Sequence, residues 1–303
     1  MEINGKIIVI LGPTASGKSK LAIQLAKKFN GEVISADSRQ VYKKLDIGAG
    51  KISKKEMRGI PHHCLNLTSP KKIFTVVDFK KCAEYAIEKI LHKNKIPIIV
   101  GGTGLYIQAI VDNIALPEVK PNWKLRKELE KKTVQEIFKI LKKIDPRRAR
   151  NIDPKNPRRL IRAIEVAKAL GKVPKISKIS SAAADKSKIF MQVGVKLPDK
   201  ILKKNIEKKV KDMLKRGLVK ETQKLRNSGL SWKRIYELGF EYKYPALFLQ
   251  GKINKEDILK RMLHENWQYA KRQMTWFKRD KRIKWVKNYK EARKLISRFA
   301  FKN

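Results

Sequence analysis

An apolar run, a glycine-bounded loop and a basic helix in direct succession near the N-terminus constrain this chain more than any other stretch. Ile7–Leu11 reads as a buried parallel strand, and residues 18–28 read as the helix that follows. Between them lie Gly12, Pro13, Thr14, Ala15, Ser16, Gly17, Lys18 and Ser19, which fit the G-x-x-x-x-G-K-[ST] phosphate loop. The two glycines let the backbone wrap tightly, so that consecutive N–H groups point inward at a phosphate chain. The helix N-terminus adds its partial positive charge, Lys18 a full one, and the Ser19 hydroxyl a ligand for Mg²⁺. A loop of this kind implies a strand–loop–helix unit in an α/β fold.

The rest of the first hundred residues alternates in the same α/β manner. Residues 32–36 read as a second strand ending at Asp37, residues 38–69 as an irregular stretch, and residues 96–100 as a third buried strand. Thr75 with Asp78 forms a capping box that opens a helix to about residue 93. Gly101, Gly102, Thr103 and Gly104 then turn into a helix over 105–111. After Pro117 the character changes: residues 122–171 are helical and heavily charged. A capping box sits at Thr133 and Glu136, Pro157 at a first helical position, and Gly171 at a helix stop. Residues 172–188 read as linker, and strand character returns over 189–197. Long helices are expected over 199–216, 219–227, 232–249 and 255–279, with a final strand over 282–286. The expected fold is thus a P-loop NTPase-like parallel sheet flanked by helices with an inserted all-helical domain. The core would comprise 1–116 and 188–303, and the insertion 117–187.

The chain has 303 residues and a formal net charge of +45. Such a surface points to a polyanion, because neutralising phosphates releases counterions and drives nucleic-acid binding. Lysine outnumbers arginine, so general lysine bias supplies part of that charge. No apolar run is long enough to span a membrane, no secretory signal opens the sequence, and two cysteines fit a reducing compartment. A cytoplasmic, non-membrane protein is expected.

A phosphate loop most often holds ATP or GTP. Guanine-specific enzymes usually carry Asn-Lys-x-Asp, and residues 94–97 lack its Asp. The strand over 96–100 ends in Gly101-Gly102-Thr103 without the carboxylate that holds Mg²⁺ in motor-type ATPases. The carboxylate stands instead at Asp37, after the second strand, at the sheet edge where ligands bind. On position alone Asp37 is a metal ligand, a general base or a turn residue. His62, His63 and Cys64 suggest a metal, but only one further cysteine exists.

Taken together, the phosphate loop, the segment 35–48 around Asp37, Pro61-His62-His63, Asp78-Phe79, Gly101 to Tyr106 and Ala270 to Trp276 closely resemble the tRNA dimethylallyltransferase family. The order is kept over nearly the whole chain, and the resemblance is to the shorter bacterial form, so a protein without the eukaryotic zinc-finger extension is expected. The resemblance implies a prenyl transfer. The dimethylallyl group of dimethylallyl diphosphate passes to the exocyclic N6 amine of the adenosine 3′ to the tRNA anticodon, and diphosphate leaves. By resemblance the loop residues and a Ser19-bound Mg²⁺ hold diphosphate, Asp37 faces the attacking amine and Thr103 lies near it. The adenosine must leave its stack. RNA contacts carried over by motif are Asp37, Ser38, Arg39, Gln40, Thr103, Arg126, Arg158, Arg159, Leu160, Ile161 and Arg162. Others are Tyr236, Glu237, Leu238, Gly239, Phe240, Glu241, Lys271, Arg272, Gln273, Met274, Thr275, Trp276, Phe277 and Lys278.

Independently of the resemblance, Arg147, Arg148, Arg150, Arg158, Arg159 and Arg162 form an Arg-dense cluster suited to phosphate forks and base stacking, against a solvated helical face. The aromatics of 255–279 suit stacking on bases but also core packing. One departure stands out. Members usually carry Arg-Ile-x-x-Arg on the helix after the sheet returns, where this chain has Asn205 and Lys209, with Lys208 beside them. Rival readings are an adenylate isopentenyltransferase, a P-loop kinase or ATPase, and a non-catalytic RNA-binding relative. A monomer acting on the anticodon stem-loop is expected.

Overall fold

The computed structural model describes residues 5–174 and 189–300. The linker expected at 172–188 therefore lies, from residue 175, outside the described residues, as does the end of the 117–187 insertion. The chain forms two compact units, one of Met1–Val111 with Ala182–Asn303 and one of Asp112–Ser181.

The first unit is built on a six-stranded sheet in the order β3-β2-β4-β1-β5-β6. The strands are β1 Ile7–Leu11, β2 Gly31–Ala36, β3 His62–His63, β4 Ile96–Gly101, β5 Phe190–Val195 and β6 Lys284–Val286, all paired in parallel. The central β1 is buried on both faces, which is why it reads as a continuous apolar run. Its side chains alternate: Ile7, Val9 and Leu11 join one apolar layer, Ile8 and Ile10 the other. Helix Val76–Leu91 lies in the first layer, and helices Lys18–Lys28 and Tyr289–Ala300 in the second.

Register decides where the functional segments emerge. Gly101 is level with both Leu11 and Ala36, and Gly194 with Leu11. The chain after β1, β2 and β4 therefore leaves the sheet at one edge. Crowding there is severe, since a Cβ on Gly101 would lie 2.1 Å from the Ala36 carbonyl oxygen. A second apolar cluster, with Val41, Tyr42, Leu45 and Tyr242, packs the helices of 199–277 over this edge.

Two expectations need correction. The stretch 38–69 is not wholly irregular: His62–His63 forms the edge strand β3 on Val33 and Ile34, and Lys54–Met57 a short capped helix. Two half-polar residues give no periodicity to find. The single helix expected over 232–249 is two, Trp232–Glu237 and Phe240–Leu249. The break falls at Gly239, whose φ of 130° no helix accommodates.

The second unit holds helices Trp123–Glu130, Val134–Ile144, Pro146–Arg150 and Pro157–Leu170 around Leu125, Leu129, Ile137, Leu141, Leu160, Ile161 and Ile164. The Thr133–Glu136 capping box forms, Pro157 follows the N-cap Asn156, and Gly171 caps the last helix at φ 76°.

One buried charge carries a pH signature. Glu32, in β2, has no exposed surface and meets His63 Nε2 at 2.7 Å, Lys95 Nζ at 2.9 Å and Lys93 Nζ at 3.2 Å. Burial alone would raise its pKa, but the hydrogen bonds from His63, Lys95 and Lys93 outweigh it and hold the carboxyl at about 2. A carboxylate depressed on folding stabilises above its unfolded pKa and loses that contribution as pH falls toward the folded value. Glu32→Gln is expected to cost about 3 kcal/mol at pH 7 and progressively less below pH 4.5, vanishing near pH 2, in urea unfolding across a pH series. A cost independent of pH would contradict the ionic account.

Candidate active site

The phosphate loop is shaped by backbone that few side chains tolerate. Gly12 has φ 150°, and a Cβ there would lie 2.8 Å from the Val195 carbonyl oxygen. Gly17, at φ 86°, starts helix Lys18–Lys28 in the left-handed region without a side-chain cap. The first N–H groups of that helix have no intrahelical acceptor and open toward the loop. Not every loop amide is available, however. Thr14 N–H donates to Gln273 Oε1 at 2.8 Å, and Ser16 N–H to the Pro13 carbonyl at 3.3 Å. The buried Ser16 hydroxyl has no partner among the described residues.

Cations gather here. Lys18 Nζ donates to the Pro13 carbonyl at 2.9 Å, Lys209 Nζ to Thr14 Oγ1 at 2.9 Å, and Asn205 Nδ2 to the Ala15 carbonyl at 3.2 Å. The two residues that depart from the Arg-Ile-x-x-Arg pattern thus both touch the loop. Lys18 is pushed down to about 8, chiefly by burial and then by Lys209, with Asp37 opposing. The loop is therefore poised for an anion that would neutralise two close ammonium groups.

Asp37, Thr14, Lys18 and Lys209 line two adjoining cavities, of about 140 and 250 Å³. The first adds Ser19, Ser35, Gln40 and His62; the second adds Arg39, Phe240, Glu241, Tyr269 and Arg272. Asp37 Oδ1 accepts from the Arg39 N–H at 2.8 Å in a tight turn. Thr103 Oγ1 accepts from the Ser38 N–H at 3.2 Å, which leaves its own proton to donate. Gln40 takes a hydrogen bond from Ser35 at 2.9 Å and reaches the Ala49 and Gly50 carbonyls at 3.4 and 3.3 Å. Burial pushes the Glu241 carboxyl up, against Lys209 and Arg39.

Several anchors play roles that the sequence does not signal, even where, as at Gln273, the residue falls within a motif. Gln273, by donating to the Gly102 carbonyl at 2.9 Å while accepting from Thr14, ties the loop after β1 to the turn after β4. Glu221 accepts from the N–H groups of Asp46, Ile47 and Gly48 at 3.1, 2.8 and 3.0 Å and from Tyr242 OH at 2.9 Å. Lys51, buried, bonds Asp46, Asn66 and the Tyr42 carbonyl. Together they fix the strap that walls the first cavity at Ala49, Gly50 and Ile52. A distant glutamate or glutamine that caps a loop looks like any surface residue in the sequence.

The residues carried over as RNA contacts divide. Asp37, Ser38, Arg39, Gly239, Phe240, Glu241, Arg272 and Gln273 line the second cavity. Phe240 and Tyr269 meet edge to face at 6.1 Å, and Arg272 lies 5.9 Å from the Tyr269 ring. Leu160, Ile161, Leu238 and Phe277 belong instead to apolar cores and are buried there. A contiguous motif includes such positions because a helix turns every third or fourth residue inward. Trp276 packs on Gly104, Tyr236 OH accepts from Gln250 at 2.6 Å, and Glu237 pairs with Arg234 at 3.2 Å. Thr275 donates to the Lys271 carbonyl and Met274 is half-buried, whereas Lys271 and Lys278 are exposed.

In the helical unit Arg126 forks onto buried Glu165 at 2.7 Å through both Nε and Nη2, and Arg162 reaches it at 3.2 Å. Those two arginines are held internally; Arg158 and Arg159 stay exposed. His62 bonds the Ile60 carbonyl, His63 bonds Glu32 and Cys64 Sγ lies 2.7 Å from Cys82 Sγ, so the three do not converge.

Comparison with known proteins gives one answer. Residues 40–280 match the profile described as IPP transferase. A tRNA dimethylallyltransferase of Acetivibrio thermocellus is 39% identical over 92% of this chain and 91% of its own length. Another, of Lachnoclostridium phytofermentans, is 41% identical, again over 92% and 91%. The crystal structure of the tRNA isopentenylpyrophosphate transferase of Bacillus halodurans superposes with a TM-score of 0.71 at 33% identity, over 98% of this chain and 95% of that one. A eukaryotic dimethylallyltransferase captured acting on tRNA superposes with a TM-score of 0.72 at 33% identity, over 90% of this chain and 70% of that one.

Gln273→Ala would leave the Gly102 carbonyl and the Thr14 N–H without their partner, at a cost of about 1–3 kcal/mol. It is also expected to weaken diphosphate binding by loosening the loop. Calorimetry of unfolding and of diphosphate titration reads both; unchanged diphosphate affinity would contradict the positioning role.

Proposed function

This chain belongs to the IPP transferase family, and from that premise we propose that it moves a dimethylallyl group from dimethylallyl diphosphate to N6 of the adenosine 3′ to a tRNA anticodon. The observation that carries the reading is the meeting, across shared cavities, of a cationic phosphate loop and a carboxylate with no ion pair among the described residues, with Asp37, Lys18, Thr14 and Lys209 lining both. A hydrolase or kinase site would place a carboxylate at the end of β4; this chain has Gly101 and Gly102 there.

The reaction forms one N6–carbon bond and breaks one carbon–oxygen bond, while N6 gives up a proton. An aromatic amine is a weak nucleophile, so orientation matters as much as basicity. One Asp37 oxygen is fixed by the Arg39 N–H; the other accepts from the amine, aims its lone pair at the allylic carbon and takes the proton. Thr103, held by Ser38, donates toward the base. Lys18, Lys209, the free amides at the start of helix Lys18–Lys28 and the Ser16 hydroxyl stabilise the charge that builds on the departing diphosphate. Phe240, Tyr269 and Arg272 offer faces on which an unstacked base rests.

Mg²⁺ fits the donors present. Among the described residues no three His, Cys, Asp or Glu side chains are grouped to hold a metal. Mg²⁺ characteristically takes one or two protein oxygens and completes its shell with phosphate and water. Ser19, which lines the first cavity, would supply the protein oxygen. When bound, the ion would neutralise diphosphate charge. A tRNA substrate supports a cytoplasmic setting for the reaction.

The test incubates the protein with labelled dimethylallyl diphosphate, Mg²⁺ and an unmodified tRNA carrying adenosine 3′ to the anticodon. Label should enter the tRNA and not free AMP, and Asp37→Ala should lose on the order of 10²–10⁴-fold in rate, the range of positioned base catalysis. Equal labelling of AMP would contradict the tRNA assignment, and full activity of Asp37→Ala the role of that carboxylate.

A further inference from the structure

A third cavity, of about 610 Å³, lies on the far side of the strap 46–51 and is lined by Lys44, Asp46, Arg216, Lys220, Glu221 and Lys224, among others. None of the roles given to the loop, to Asp37 or to the helical unit uses it. Its two carboxylates are already engaged. Glu221 takes three backbone N–H groups and Tyr242 OH, and Asp46 takes Lys51 Nζ at 2.7 Å. Its cations are far less so. Arg216 has one loose contact with Asp212 at 3.5 Å, both half-exposed, while Lys44, Lys220 and Lys224 meet no acidic partner among the described residues. The cavity therefore presents surplus positive charge, on side chains that are solvated and long enough to track a flexible anion.

We propose that this groove is a second RNA-binding site, which takes the phosphodiester backbone of the tRNA outside the reacting loop. The chemistry selects the occupant. Several spaced lysines around an open cavity suit consecutive phosphates, each a point charge, whereas a compact ligand would be met by convergent buried donors. Position gives the groove a purpose. Asp46 and Ile47 line it while Gly48, Ala49 and Gly50 line the reaction cavities, so one short strap borders both the grip on the backbone and the reacting base. The site rests on the tRNA reading above, because it needs a polyanion long enough to reach both sides.

On a chain of net charge +45 any lost lysine weakens RNA binding somewhat, so the test compares two triple variants of equal charge. One is Lys44→Gln/Lys220→Gln/Lys224→Gln; the other is Lys287→Gln/Lys290→Gln/Lys294→Gln, exposed residues that line none of the three cavities described. All six are solvent-facing, and melting curves check that both proteins fold. Equilibrium binding of unmodified tRNA is measured without prenyl donor across a salt series. The groove variant should lose at least tenfold in affinity, and its slope of log K against log salt should flatten by about two to three, close to one per phosphate contact. The control should change little. Equal losses in both variants, or no loss in the groove variant, would overturn the site. Transfer of label by the wild type, run in parallel, separates that outcome from failure of the tRNA reading itself.

Discussion

Everything functional in this molecule depends on how closely two parallel strands approach at one edge of the sheet. At Gly101 the backbone passes so near Ala36 that even a methyl group would strike its carbonyl, and Leu11 is level with both. Because the three strand ends are held level, the phosphate loop, the Asp37 turn and the Thr103 turn all begin at one place. Gln273 then bridges the first and third of them from a helix far away in sequence. A looser sheet edge would still fold, but it would not set a carboxylate beside a phosphate cradle.

The electrostatics follow from that crowding. Lys18 and Lys209 both reach the phosphate loop, and burial first and the Lys209 charge second lower the pKa of Lys18. Glu241 enters the same space and is pushed up by burial. The repulsion of Lys18 by Lys209 is of the kind a multivalent anion relieves on binding. Elsewhere the chain handles buried charge differently. Glu32 is held by His63, Lys93 and Lys95, and Glu165 by Arg126, Arg162 and the Asn122 N–H; both stabilise structure, not chemistry. Strained charge at one sheet edge and satisfied charge away from it distinguish site from scaffold.

Much of this was legible in the sequence, for reasons that differ by residue. The run Ile7–Leu11 shows itself because a strand buried on both faces must be apolar throughout. The boxes at Thr75 and Thr133 show themselves because caps are local chemistry. The edge strand at His62–His63 stayed hidden because two residues make no pattern, and the break before Phe240 because Gly239 sits inside an otherwise helical run. Leu160, Ile161, Leu238 and Phe277 fall within motifs yet face inward, since a motif is contiguous and a helix face is not. Glu221 and Gln273 were out of reach for another reason: they act on backbone groups 173 and 259 residues away. Asn205 and Lys209 stood out as departures, and only the fold brings both onto the phosphate loop.

Leaving group and nucleophile are held side by side at this sheet edge. A crystal structure of the protein with an unreactive thio-analogue of dimethylallyl diphosphate and an anticodon stem-loop measures it directly. Diphosphate oxygens are expected on the amides of Gly17, Lys18 and Ser19 with Lys18 and Lys209 Nζ, together with an unstacked adenine whose amine lies within hydrogen-bonding distance of Asp37. Diphosphate bound away from that loop, or an adenine still stacked in the RNA, would contradict it.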